Sequence, residues 1–119
     1  MSKRRDREYL GDIHEAMHRI SRYTSGLTFE QFLKDAKTQD AVVRNLEVIG
    51  EATKKLTSHL RKSVRHVPWK DLAGVRDKLI HHYFGINYEI VWTIARKELP
   101  GLLPNIKELI DKDDKTQIK

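Results

Sequence analysis

Residues 40–59 read DAVVRNLEVIGEATKKLTSH, and their apolar side chains recur three and four positions apart. This spacing forms one apolar stripe along a helix, made of Val42, Leu46, Ile49, Ala52 and Leu56. Gly50 lies inside the pattern, where it costs about 1 kcal/mol against alanine but lets another helix come close. The stretch predicts a helix that starts at Thr38 or Asp40, ends near His59 and has a close neighbour at Gly50.

The same helical spacing continues towards the N-terminus. It predicts a helix over residues 6–23, with Gly26 as its stop signal. A short second helix, capped by Thr28, follows. The side chains predicted to be buried on the short helix are Phe29, Phe32 and Leu33.

Towards the C-terminus, proline, glycine and asparagine mark the helix ends. Pro68 suits the first turn of a fourth helix, which should end near Gly85. Asn87 can cap a fifth helix, and Pro100 and Pro104 mark a kink or a restart. The sum is an all-α, up-and-down bundle of four to five helices.

The length of 119 residues suits one domain, which we place at residues 1–110, followed by a polar, disordered tail at 111–119. The chain has no cysteine, so disulfides and thiolate metal sites are excluded. No segment approaches the roughly 18 apolar residues of a membrane span. We therefore expect a cytoplasmic protein that does not contact membranes.

The net charge of +6 and the pI of about 9.6 favour a polyanionic partner: RNA, DNA or an acidic protein. A merely well-solvated surface is the alternative. Residues 61–67 form a predicted basic connector, in which Arg61, Lys62 and Arg65 are candidate RNA contacts. A DNA-binding regulator would fit the charge, but we recognise no helix-turn-helix pattern.

Residues 76–83, RDKLIHHY, contain the residue types that RNA cleavage without a metal would require. Histidine is the usual side chain for proton transfer near neutral pH, so His81 can act as base or acid, and Arg76 can hold phosphate oxygens. On one ideal helix, however, His81 lies about 140° from Arg76. A second subunit related by a two-fold axis would complete the site better. If Arg76 is instead only ion-paired, the candidate partners are Asp77 and Glu51.

The Arg-x4-His-x-Tyr pattern, with Asp77 directly after the arginine, resembles the signature of HepT-like proteins in the HEPN superfamily. The flanking segments are also similar to that family, so the resemblance covers nearly the whole chain. These segments are NLEVIGEA at 45–52, VPWKDLAG at 67–74, EIVW at 89–92 and ELP at 98–100.

The resemblance implies a HEPN-like bundle that forms a homodimer and acts as a metal-independent endoribonuclease without cofactors. Arg76 would stabilise the pentacoordinate phosphate, His81 would be the general base or acid, and Asp77 would support them. The product would carry a 2′,3′-cyclic phosphate. Lys78 and His82 are further candidate RNA contacts.

The resemblance also implies a partner and a modification. In a type VII toxin–antitoxin system, an MntA-like nucleotidyltransferase antitoxin would transfer AMP onto Tyr83 and assemble with the homodimer into a larger hetero-oligomer. The alternative is a non-catalytic HEPN binding module that scaffolds the nucleotidyltransferase. The intact Arg76 and His81 favour the enzyme.

A second motif, His14-Glu15-Ala16-Met17-His18, reads as the H-E-x-x-H signature of zinc proteases. The chain is very small, no third ligand follows at the usual spacing, and Met17 belongs to the apolar stripe. We therefore expect no metal site, and we interpret His14 and His18 as surface or groove histidines.

Overall fold

The computed structural model describes residues 5–79 and 85–118, with side chains up to residue 112, and its regular elements there are helices. The all-α prediction is confirmed. The helices are α1 (Asp6–Thr24), α2 (Phe29–Leu33), α3 (Ala36–Lys54), α4 (Ser58–Ser63), α5 (Trp69–Ala73), α6 (Val75–Leu79), α7 (Tyr88–Thr93) and α8 (Leu99–Ile118). A π-helical turn, Ile94–Glu98, joins α7 to α8.

The core forms where α1 packs against α3 and α8. The stripe predicted for α3 is buried throughout, and so is the α1 stripe of Leu10, Ile13, Met17 and Ile20. Burial of this apolar surface is the main favourable term that holds the long helices together. The shorter helices α4 to α6 follow α3 in sequence, and α5 and α6 pack back onto it.

The short helix α2 begins where the sequence predicted. Thr28 Oγ1 accepts a hydrogen bond from Gln31 N at 3.1 Å, and Gln31 Oε1 accepts one from Thr28 N at 2.9 Å. Phe32 is fully buried, with its ring centroid 5.2 Å from that of Trp92. The prediction that Leu33 is buried was wrong, since neighbouring side chains on a helix point about 100° apart and Leu33 is 46% exposed.

The third helix is shorter than the sequence predicted, because a tertiary contact starts a new helix. α3 ends at Lys54, and Thr57 caps α4 by accepting a hydrogen bond from Leu60 N at 3.2 Å. Thr57 also donates to the Asp6 carboxylate, from N at 2.9 Å and from Oγ1 at 2.6 Å. Part of the predicted irregular connector is therefore the helix α4.

The predicted fourth helix is divided at Gly74 into α5 and α6. Gly74 N closes α5 by donating to Lys70 O at 3.1 Å, and Asp77 N donates to Gly74 O at 3.0 Å. Pro68 is the N-cap of α5, one position before the predicted first turn.

The predicted close approach at Gly50 is confirmed. A Cβ atom at Gly50 would lie 3.4 Å from Ala73 O, 3.5 Å from Val75 Cγ1 and 3.6 Å from Leu72 O. The α5–α6 junction therefore lies within van der Waals reach of α3 at Gly50. This contact fixes the start of the motif-bearing segment relative to the core.

The predicted fifth helix, α7, begins where the sequence placed it. Asn87 Oδ1 caps it by accepting hydrogen bonds from Glu89 N at 3.0 Å and Ile90 N at 3.1 Å. The π-helical turn ends at Glu98, just before the kink or restart that the sequence predicted at Pro100 and Pro104, and α8 continues through Pro104 without a restart. Pro100 has no N–H to donate to the carbonyl four residues earlier, and a wider turn accommodates that loss.

α8 continues to Ile118, which differs from the disordered tail predicted for residues 111–119. Two ion pairs between residues four apart support this polar end: Lys107 with Asp111 at 2.8 Å and Lys112 with Glu108 at 3.0 Å. The domain boundary at residue 110 stays a prediction. Within residues 5–79 and 85–118, no helix combines the length and apolar character that a membrane span needs.

Candidate active site

Arg76, the first residue of the motif, lies on α6 with 65% of its side chain exposed. Its Nε atom is 3.8 Å from Oε2 of Glu47 on α3. The sequence suggested Asp77 or Glu51 as the carboxylate partner, and this was wrong: Glu51 lies 3.6 Å from Lys54 on its own helix. The sequence position of Glu47 could have indicated it as the partner of Arg76. Glu47 lies three positions before Gly50, on the helix that the motif segment approaches.

The contact between Arg76 and Glu47 is weak. An exposed ion pair of this kind contributes at most about 1 kcal/mol, and this one is longer than a good hydrogen bond. The pair borders a cleft of about 120 Å³, whose other walls are Val43, Leu79 and Ile86. The guanidinium is therefore oriented by a carboxylate but remains accessible to an incoming anion.

His81, His82 and Tyr83 lie outside the described residues, so their distances from Arg76 stay predictions. The chain on the two sides of residues 80–84 is held together by a backbone hydrogen bond. Leu79 is 1% exposed, and its carbonyl oxygen accepts a hydrogen bond from Asn87 N at 2.8 Å. This bond brings the end of α6 next to the start of α7, so the described residues on the two sides of residues 80–84 lie close together.

Asp77 and Lys78 are exposed on α6. Lys78 Nζ lies 3.5 Å from Asp71 Oδ1, so an ion pair spans the break between α5 and α6. Asp77 contributes its backbone N–H to the turn at Gly74. Its backbone therefore shapes the junction that presents Arg76.

The three basic residues of the predicted connector line one groove between α4 and α5. Arg61, Lys62 and Arg65 are joined there by Lys70 from α5, and the groove has a volume of about 640 Å³. Lys70 was not among the predicted RNA contacts, because it lies beyond the predicted basic connector and reaches the groove only through the packing of α5 beside α4.

The two histidines of the H-E-x-x-H motif lie on α1, where His14 is partly buried and His18 is exposed. Among the described residues, no group of three or more His, Cys, Asp or Glu side chains is arranged to hold a metal ion.

Sequence comparison supports the resemblance. Residues 13–109 match the family described as Ribonuclease HepT-like. The fold and the motif thus define an all-α protein of the HEPN type. The chain belongs to the HepT-like ribonuclease family.

Two curated relatives match the chain along nearly their whole length. A protein named as a "putative RNase" in Methanocaldococcus jannaschii is 52% identical over 92% of this chain and 91% of its own length. A "probable ribonuclease HepT" of Thermococcus cleftensis is 41% identical over 90% of this chain and 97% of its own length. No solved structure matches the chain.

Proposed function

We propose that the chain is a metal-independent endoribonuclease and the toxin of a type VII toxin–antitoxin system. One observation carries the proposal: Arg76, which begins the Arg-x4-His-x-Tyr motif, is exposed at a cleft and only loosely paired with Glu47. Membership of the HepT-like family and the basic charge support an RNA substrate.

In the proposed reaction, His81 removes the proton from a ribose 2′-hydroxyl, and the 2′-oxygen attacks the adjacent phosphorus. Negative charge grows on the non-bridging oxygens, where the Arg76 guanidinium can donate two parallel hydrogen bonds. The bond to the 5′-oxygen breaks, and that oxygen takes up a proton. The products are a 2′,3′-cyclic phosphate and a free 5′-hydroxyl.

The proposed control is AMP transfer onto Tyr83 by an MntA-like nucleotidyltransferase antitoxin. The phenol oxygen would attack the α-phosphorus of ATP and release pyrophosphate. The AMP group adds negative charge and bulk close in sequence to Arg76 and His81. Its phosphate would compete with the RNA phosphate for the Arg76 guanidinium, which explains inhibition by a single modification.

The test is cleavage of labelled cellular RNA in EDTA by the unmodified full chain. We expect wild type to cut, and Arg76→Ala and His81→Ala to lose at least about a hundredfold in rate, since each removes a transition-state interaction. Arg19→Ala is the matched control, because Arg19 is an exposed helix arginine whose Nε pairs with Glu15 at 3.0 Å.

Cutting that continues at the wild-type rate in Arg76→Ala, or that stops in EDTA, would contradict the proposed chemistry. No cutting of any cellular RNA by folded, unmodified protein would favour the non-catalytic binding module. The AMP step is tested in parallel with Tyr83→Phe, which the partner enzyme should fail to label. Labelling at the wild-type level would exclude Tyr83 as the acceptor.

A further inference from the structure

The charged residues that line the groove between α4 and α5 are all cations. Four cationic side chains line it, and no carboxylate belongs to its described lining. By contrast, the groove of about 210 Å³ between α1 and α3 mixes Asp12, Glu47 and Glu51 with Arg44 and Lys55. Positive charge is therefore concentrated in the groove between α4 and α5, whereas the groove between α1 and α3 contains charges of both signs. The four cations are Arg61, Lys62, Arg65 and Lys70.

The position of these cations follows from helical spacing. Ser58, Arg61 and Lys62 are three and four positions apart, so they share one face of α4, and Arg65 lines the same groove from the turn that follows α4. Lys70 reaches the same groove from α5. The hydrogen bonds from Thr57 to Asp6 attach the start of α4 to α1, so the basic face has a fixed direction.

The positive charge in the groove is not neutralised by the described parts of the chain. There, none of the four cations has a carboxylate oxygen within 4.0 Å. The Nε atom of Arg61 is buried and has no hydrogen-bond partner.

We propose that this groove binds the phosphodiester backbone of the RNA beside the cut site, an inference that rests on the proposed ribonuclease function. Arginine and lysine are the residues that contact phosphate oxygens, and several unpaired cations in one groove suit a chain of phosphates. The groove is about 640 Å³, against about 120 Å³ for the cleft at Arg76, so it can hold more than the scissile phosphate alone.

The groove recognises the backbone and not the bases. Its aromatic residue, Trp69, is 6% exposed, and its indole N–H donates to Val64 O at 2.8 Å. The ring is therefore not available as a platform on which bases stack. The same α5 segment leads through Gly74 into α6, so the groove wall is continuous in sequence with the arginine that would hold the scissile phosphate.

The test measures binding of a 2′-O-methyl RNA oligonucleotide, which lacks the attacking hydroxyl and cannot be cleaved. The variant Lys62→Gln/Lys70→Gln removes two exposed groove cations and leaves the partly buried Arg61 in place. Lys34→Gln/Lys37→Gln is the matched control, with two exposed lysines removed outside the groove and the same change in net charge.

We expect the groove variant to bind the RNA about tenfold more weakly. The slope of the logarithm of its association constant against the logarithm of salt concentration should also be shallower by about 1.4, because each lost phosphate contact on a single strand contributes about 0.7. The control should keep the wild-type slope. Equal slopes in wild type and groove variant, or an equal loss in the control, would overturn the inference. So would a groove variant that binds RNA normally but no longer binds the nucleotidyltransferase, which would assign the groove to an acidic protein.

The outcome is separable from the proposed activity, because the probe is not a substrate. Groove-dependent binding of the 2′-O-methyl RNA together with no cleavage of ordinary RNA would support the binding site and reject the ribonuclease chemistry. Cleavage of ordinary RNA with groove-independent binding would support the chemistry and reject this site.

Discussion

The carboxylate beside Arg76 belongs to Glu47, and its charge should weaken substrate binding. Glu47 Oε2 lies 3.8 Å from the guanidinium that would receive the RNA phosphate, so the two anions compete for one cation. We expect Glu47→Gln to lower the KM for RNA about two- to fivefold, because exposed charge pairs contribute up to about 1 kcal/mol.

The matched control for this prediction is Glu51→Gln, on the same helix and paired with Lys54 at 3.6 Å. Its KM should stay near the wild-type value. Steady-state kinetics on one RNA substrate compare the three proteins. A Glu47→Gln KM equal to that of Glu51→Gln would mean that Glu47 does not compete with the phosphate, and a higher KM would mean that Glu47 supports Arg76 in substrate binding.

At the scale of elements, Gly50 sets the distance between α3 and the α5–α6 junction. An added Cβ would meet neighbours at 3.4–3.6 Å, which is ordinary contact, so Gly50→Ala should fit. The gain in helix propensity is about 1 kcal/mol, and we expect stability to be unchanged or slightly increased. Gly50→Leu must displace backbone atoms and should destabilise the fold by about 1–3 kcal/mol.

Urea unfolding of both variants measures these changes, and cleavage of RNA gives a second readout. Because the junction at Gly74 leads into α6, Gly50→Leu should also lose activity under conditions where the protein is still folded. A Gly50→Leu protein as stable and active as wild type would show that the contact between α3 and the junction does not position Arg76.

The sequence predicted the long helices well and the short ones poorly, for a physical reason. α1 and α3 each present a stripe repeated over several turns, and such a pattern follows from burial alone. The end of α3 depends on hydrogen bonds between Thr57 and Asp6, which are 51 positions apart, and local spacing carries no trace of them. The exposed position of Leu33 likewise depends on what lies beside a helix too short to show a period.

The same reasoning explains what could be predicted of the site. Residue types and spacing identified Arg76 as a candidate, because arginine five positions before histidine is a chemical combination visible in the chain itself. The contact with Glu47 and the arrival of Lys70 beside Arg61 are tertiary facts. Both come from helices packed side by side, which neither segment encodes alone.

At the scale of the whole molecule, the sequence predicts that two chains complete each active site. Arg76 and Tyr83 are seven positions apart and therefore share one face of an ideal helix. His81, by contrast, falls about 140° from Arg76. The described part of α6 ends at Leu79, so a continuous helix to His81 stays a prediction. A homodimer in which Arg76 of one chain faces His81 of the other would remove the difficulty.

Mixing two inactive variants tests this arrangement. Arg76→Ala and His81→Ala proteins, unfolded together and refolded, should form mixed dimers in about half of the population, each with one intact composite site and one doubly altered site. We expect RNA cleavage to return to about a quarter of the wild-type rate, since about half of the dimers then hold one working site out of two.

The control mixes Arg76→Ala with a chain that carries both substitutions. No arrangement of these chains assembles an intact site, so cleavage should stay at background. If Arg76 and His81 of the same chain act together, the first mixture is also inactive, because every chain lacks one of the two groups. Background cleavage in a mixture whose mixed dimers are verified by native mass spectrometry would therefore assign each site to a single chain.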